Sequence, residues 1–568
     1  MAPARRAGLF AASLAALLGG AQAQQQPAAT PAPAPEPATQ TRPSVQALAT
    51  GVGLPSFAEL EAAGARVGQI RIRNLNIFDL DDPKENNALF RLANALHIQT
   101  RPGVIGRAVL LKTGDPVSVR LVEETERLLR TNRYLYDVRL QPYAYSDGVV
   151  DVEVQTRDTW SLDPGVSFGR SGGSNSSGFS LREYNLLGTG AALSLAHSNN
   201  VDRSGNEFQI QYNRAFDGWT SLSYLVADNT DGRRHEASIL RPFYALDARW
   251  AAGATVASDD RIESLYSAGV VASQYRVREK TSEVFAGWSD GLVRGWTRRL
   301  SVGVKTQDDA YQFEPALVAP AALPADQKLL APFLRFELIE DNFQRRDNRN
   351  QMGRPEFFAL GLAAKVQIGR ASTALGSSQD LWLYNGSVSQ GFNPRPNHDL
   401  LASASVSGQY GDGRIQRQLL SAALKYYLPL SPRYLLFGSA SVDALKNPGL
   451  SDLLTLGGDN GLRGYPLRYQ TGEQRALFTL EARTFTDLYL YRLFRVGAAA
   501  FYDVGRAWGG PNANPAQQGW LANAGVGLRI FNVRAAFGNV LHVDIAAPLQ
   551  REPGIKTVQF LVKSKVSF

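Results

Sequence analysis

Phe208-Gln209-Ile210-Gln211-Tyr212-Asn213 puts an apolar or aromatic side chain at every second position and an amide at the positions between. That period belongs to an extended strand, whose side chains point alternately to its two faces. The same beat returns at Leu222, Tyr224 and Val226. It returns again where Ala476, Phe478, Leu480 and Ala482 alternate with Thr479, Glu481 and Arg483, and where Ala524, Val526, Leu528 and Ile530 alternate with Asn523, Gly525, Gly527 and Arg529. Clusters of Asn, Asp and Gly separate such segments, at Asn199-Asn200, Asp228 to Gly232 and Asp259-Asp260. From about Trp160 onward the helical period is missing.

Two folds produce this pattern. A soluble β-sandwich buries the apolar face against a second sheet; a transmembrane barrel turns that face to lipid and keeps the polar one inside. About 400 residues of short strands exceed one sandwich, and no boundary divides them into several, so length favours the barrel. Trp219, Trp250, Trp288 and Trp382 stand near strand ends, where interfacial aromatic belts lie. The chain closes on an alternating segment from Val558 to Phe568. A closed barrel explains a chain that stops inside a strand, because that strand pairs with the first one.

Upstream, Arg5 and Arg6 precede the apolar run Ala7 to Gly20, followed by Ala21-Gln22-Ala23, so residues 1–23 read as a secretory signal. Residues 24–67 read as a Pro/Gln/Ala-rich linker with a short helix near Phe57 to Ala63. Residues 68–157 read as a small α/β module: a strand at Gln69 to Arg73, a helix within Glu85 to Ile98 with Leu89, Leu92, Ala93 and Leu96 on one face, a helix from Ser118 to Thr131, and two strands, Tyr134 to Leu140 and Val149 to Gln155. Residues 158–568 are left for the barrel. No later segment is apolar enough for a transmembrane helix. The chain has no cysteine, which excludes disulfides and thiolate metal sites. The net charge of +8 is modest and dispersed. Its densest cluster, Arg345, Arg346 and Arg349, reads as a solvated loop, with anionic lipid headgroups as the other contact. Nucleic acid is not an expected partner.

One loop stands out. Gly457-Gly458-Asp459-Asn460-Gly461-Leu462-Arg463-Gly464-Tyr465 sets a lone arginine among glycines. Its guanidinium has five donors, no acceptor and a permanent charge. It needs a carboxylate, and Glu481 and Asp503 lie on the neighbouring strand patterns, each on the polar face. By alternation alone, a lock between loop and wall and three independent lumenal charges stand about equal.

These motifs together resemble the BamA/TamA-type superfamily of outer-membrane assembly factors and secretion transporters. Leu462-Arg463-Gly464-Tyr465 is similar to the family's loop signature, and Tyr184-Asn185-Leu186-Leu187-Gly188-Thr189-Gly190 to its early barrel turn, with Asn185, Gly188 and Gly190 as the turn residues. Phe501 to Gly505 and Gly525 to Arg529 resemble two of its late strands. Terminal Phe568 resembles the outer-membrane targeting signal, and residues 68–157 resemble a periplasmic POTRA domain. The resemblance implies a mainly β protein: a transmembrane antiparallel barrel of about 16 strands after one POTRA-like domain. It implies that Arg463, with Gly464 and Tyr465, folds inward onto Glu481 and Asp503. It also implies an outer-membrane location with the N-terminal domain in the periplasm.

The function implied is outer-membrane protein assembly and insertion, or polypeptide translocation. Clients, unfolded outer-membrane or secreted polypeptides, are captured by strand addition at Tyr134 to Leu140 and pass through a seam or the lumen. Its strands are Gly165 to Gly169 and Val558 to Phe568. A dedicated two-partner-type secretion transporter for one large protein is the alternative. The lipid bilayer is a partner, and periplasmic chaperones or accessory proteins are further candidates. One module, where the best-known members carry several, weakens accessory docking, and no glycine follows Gly554 to kink the last strand. His97, His197, His235, His398 and His542 sit in no hydrolase or metal motif, so no catalytic residue, cofactor or metal is expected. A passive porin needs neither the module nor the arginine loop.

Overall fold

The computed structural model describes residues 53–171, 173–267, 269–315, 317–353, 355–491, 493–510, 519–532, 540–550 and 555–565. The expected signal segment, the Pro-rich stretch and Phe568 lie outside the described residues.

Helix α1 (Phe57–Ala62) starts at a capping box in which Ser56 and Glu59 bond each other's backbone, satisfying two of the donors a helix start leaves free. A small α/β domain follows: β1 (Arg66–Leu75), α2 (Ala88–Leu96), α3 (Pro102–Gly106), α4 (Val119–Arg130), β2 (Leu135–Ser146) and β3 (Val149–Asp158). The sheet order is β1-β3-β2, with β3 parallel to β1 and antiparallel to β2. Central β3 buries Val150, Val152 and Val154 against Val122 and Leu129 of α4. One feature departs from the sequence expectation. A third short helix, α3, stands between the two expected ones. The leucine face of α2 does not point inward: Leu89, Leu92 and Leu96 are exposed, and Phe90 is the buried anchor. Phe90 stacks on Phe78 with ring centroids 3.9 Å apart. The Asn94 amide bonds both the N–H and the carbonyl of Phe78, and that pairing fixes the helix rotation.

The remaining chain forms a closed barrel of 20 strands, not about 16. The difference comes from strand economy. Between Leu162 and Arg241 six strands of 9 to 13 residues follow one another across links of two to four. Tight links need left-handed backbone, which Gly188 (φ 72°) and Gly218 (φ 81°) supply. The alternation sorts as lipid demands. Val284 lies opposite Val304, and Val302 opposite Leu334, all exposed on the outer face. Glu283, Lys305 and Arg335 point inward, and Arg335 reaches Glu283 at 2.7 Å. An exposed Trp250 pairs in register with Trp288, and Trp382 is half-exposed at the start of its strand. Apolar outside, charged inside, aromatic at the ends is the inverse of a soluble sheet. The antiparallel order puts 341–362 at the end that carries the α/β domain and 447–473 at the opposite, loop end.

Candidate functional site

Loop 447–473 enters the barrel and brings Arg463 to the inner wall. Arg463 Nε and Nη2 donate to the two oxygens of Asp503 at 2.8 and 2.7 Å, and Nη1 donates to Glu481 at 2.9 Å. Asp544 is 3.8 Å away. The guanidinium lies over the Phe501 ring at 3.4 Å. Asp503 faces Thr479 across the strand pair, while Glu481 faces Phe501. The two carboxylates are thus diagonal neighbours on one face, a spacing that long side chains bridge, and one planar fork serves both. Asp503, fully buried, also accepts from Thr479 Oγ1 and Asn523 Nδ2.

The residues beside Arg463 fit equally tightly. Gly464 donates its N–H to Asn523 Oδ1 at 3.1 Å, and a Cβ there would lie 2.7 Å from Asn523 Cβ and 3.0 Å from Pro548 N. Only glycine allows that approach. Tyr465 is fully buried with Leu462, Tyr469 and Leu521, and its hydroxyl donates to Ala522 O at 3.0 Å. Two further tethers escaped the sequence reading. Arg468 forks onto Asp202 at 2.8 and 2.6 Å, joining the loop to an early barrel link. Lys563 Nζ, on the last strand, donates to Gly458 O at 2.8 Å. Arg468, five residues beyond Arg463, was visible as a second cation in a glycine-bearing loop, but its distant partner was not.

The opposite end of the lumen holds a hairpin, Phe343–Asp347 paired with Pro355–Ala359. The arginine cluster belongs to it: Arg345 is exposed, but Arg346 and Arg349 are not solvated. Arg346 donates to Asp399 at 2.8 Å and Arg349 to the same buried carboxylate at 3.0 Å. Met352, Phe358 and Leu360 pack against wall residues Tyr427, Phe437, Phe485 and Phe531. The two lumenal elements touch one chain of contacts. Arg483 donates to Arg349 O at 3.0 Å and to Glu481 at 2.9 Å, and Glu481 accepts from Arg463. A buried relay therefore runs from hairpin to loop through two residues of one strand.

The early turn joins domain to barrel. Asn185 Nδ2 donates to Thr100 Oγ1 at 2.8 Å, and its Oδ1 accepts from Gly190 N at 2.7 Å. Gly188 O accepts from Arg101 N at 2.9 Å, and a Cβ on Gly188 would strike Gln99 O at 2.4 Å. Asp158 gathers Thr100 N, Thr100 Oγ1 and His97 Nε2. This junction partner, too, was missed in the sequence. The β2 edge named for strand addition is partly occupied. Glu126 accepts the Leu140 N–H at 2.7 Å, and Arg130 Nη2 donates to Val138 O. Burial raises the Glu126 carboxyl above its usual range, with the Leu140 N–H and Arg130 opposing. The outer half, Gln141 to Ser146, exposes Tyr143 and Tyr145. Phe568 lies outside the described residues.

A closed barrel with an apolar exterior and a charged lumen defines a membrane-spanning β-barrel protein. A family model, the Omp85 superfamily domain, matches residues 185–563, which places the barrel in the outer-membrane assembly and transport class. The chain belongs to the Omp85 superfamily. No curated protein sequence matches it. Among solved structures it is similar to CdiB from Escherichia coli (13% identity, 89% of this chain and 77% of that one, TM-score 0.45). It is also similar to CdiB from Acinetobacter baumannii (14%, 88% and 73%, TM-score 0.44). A third is BamA from Haemophilus ducreyi lacking POTRA domains 1–3 (13%, 88% and 85%, TM-score 0.38).

Proposed function

We propose that this barrel inserts polypeptides into the outer membrane through the seam between its first strand, Leu162–Ser171, and its last, Gln559–Lys565. The observation that carries the reading is the seam itself. Among the described residues the two strands share one register pair, Val562 with Arg170. The first strand by contrast pairs with its other neighbour without interruption from Leu162 to Ser171. A client strand added there keeps its backbone groups paired as it meets hydrocarbon, where each unpaired group costs several kcal/mol. The lumen is the less favoured route, because the hairpin and the loop enter it from opposite ends.

In this reading the α/β domain is a single POTRA-like unit in the periplasm, and the Arg463 lock holds the loop so that the seam strands keep their places. Lys563 bonding Gly458 O supports that link between loop and seam. Client strands dock on the open half of β2, near Tyr143, since Glu126 and Arg130 occupy the inner half. The process has no catalytic step.

The absence of native cysteine makes the test direct. An Arg170→Cys/Val562→Cys pair, oxidised in the membrane, is expected to stop client insertion, and reduction to restore it. Full activity with the clamp closed would overturn the seam reading. Proteomics after depletion then separates roles: loss of many barrels marks general insertion, and loss of one large secreted protein marks the dedicated transporter.

A further inference from the structure

We infer that α2 is an interfacial helix that lays its leucine face into the periplasmic leaflet beneath the seam. The inference rests on the orientation proposed above. The helix is fixed by its other side. Phe90 packs with Phe78 and Ile77, and that cluster reaches Trp160, just before the first barrel strand, and Leu493, in the turn before the strand Phe494–Trp508. In the order of strands around the barrel, the seam lies between those two points. The helix therefore sits at the foot of the seam, held against the rim rather than free in solution.

Its outward face is apolar and unpartnered. Leu89 is 63% exposed, Leu92 55%, Leu96 64% and Ile98 54%. Monomeric soluble surfaces seldom leave four such side chains in line. Two barrel turns near the helix carry exposed apolar side chains. Past Ile98 the chain runs to Arg101, which bonds the turn carrying exposed Leu187; at the other contact point, Tyr491 is 83% exposed two residues before Leu493. Both turns border the outer belt of the barrel, which is already a lipid surface. Anchorage beside that belt, through Trp160, Leu493 and Arg101, selects lipid as the occupant. Charge agrees: from Ala88 to Ile98 the only formal charge is Arg91, and no acid repels an anionic headgroup. An amphipathic helix in this position would fix the domain against the membrane where client strands enter, and would disturb lipid order beside the seam.

The experiment uses the full chain in vesicles of phosphatidylethanolamine and phosphatidylglycerol. Single cysteines carrying an environment-sensitive fluorophore are placed at Leu92 (Leu92→Cys), at belt residue Leu480 (Leu480→Cys) and at the domain tip Tyr143 (Tyr143→Cys), all exposed. The Leu92 label is expected to shift to shorter wavelength, to be quenched by nitroxide-bearing lipid and to resist aqueous iodide, as the Leu480 label does. The Tyr143 label should behave oppositely. A Leu480 label quenched by lipid beside a Leu92 label open to iodide overturns this inference alone. A Leu92 label shielded from both quenchers means a protein covers the face, and also overturns it. A Leu480 label not quenched by lipid overturns the membrane reading and this inference with it. The triple variant Leu89→Ser/Leu92→Ser/Leu96→Ser, which changes only exposed positions, should loosen the domain from the membrane, read as faster hydrogen exchange in α2 in vesicles but not in detergent; no difference between the two media contradicts lipid contact.

Discussion

Replacing Arg463 by alanine removes three charge-assisted hydrogen bonds, two to Asp503 and one to Glu481. The two acids do not suffer equally. Glu481 keeps the Arg483 guanidinium at 2.9 Å. Asp503 keeps Thr479 and Asn523, neutral donors, and loses its forked cation. Breaking a buried ion pair costs about 3–5 kcal/mol, because the remaining charge is stranded. With Glu481 still paired, the lower end applies, and ~3 kcal/mol raises the open fraction of the loop roughly 100-fold. The damage stays local, since Arg468–Asp202 and Lys563–Gly458 hold the rest of the loop. The assay is hydrogen exchange on the purified full-length protein. The amides of Gly461 to Tyr465 should lose protection while those of the strand Gln474–Leu490 keep theirs. Arg463→Lys should lie between, since lysine keeps the charge but not the fork. In the double variant with Asp503→Asn, the loss should be well below the sum of the singles. Unchanged protection in Arg463→Ala would show that the lock does not hold the loop, and the proposed link between loop and seam would go with it.

Two other perturbations test the remaining elements. Asp399→Asn leaves Arg346 and Arg349 without a carboxylate, a loss of about 3–5 kcal/mol at a buried site. The hairpin should become protease-sensitive and single-channel conductance should rise; unaltered conductance would mean the hairpin does not restrict the lumen. Glu126→Gln tests the β2 edge. Because burial raises this carboxyl above its usual 4.5, the stability it supplies is complete below that value and is lost as pH rises through the higher folded value. The glutamine variant should therefore protect β2 and β3 amides better than the parent at neutral pH, with the advantage fading near pH 4.5; a constant difference across that window would remove the buried-carboxyl account.

The sequence by itself determined whatever the backbone repeats locally. Side chains on a strand alternate every residue, so Glu481 and Arg483 had to share a face with Thr479, and Phe478 and Leu480 had to take the other. Arg463 announced a need for carboxylates through its donor count, and the structure brings Glu481 and Asp503 to it. The glycine at 464 is explained only by what crosses beside it, the Asn523 Cβ and the Pro548 nitrogen. Tertiary structure decided what depends on distant neighbours. The strand count followed from closure, because the register and the link lengths of the whole sheet must agree at once. The arginine cluster at 345–349 looked solvated because its partner, Asp399, lies some fifty residues away on another strand. The leucines of α2 share one face by helical spacing, but which face is buried was set by Phe90 stacking on Phe78 and by Asn94 bonding its backbone. Periodicity fixes which side chains point together; only the packed chain fixes what they point at.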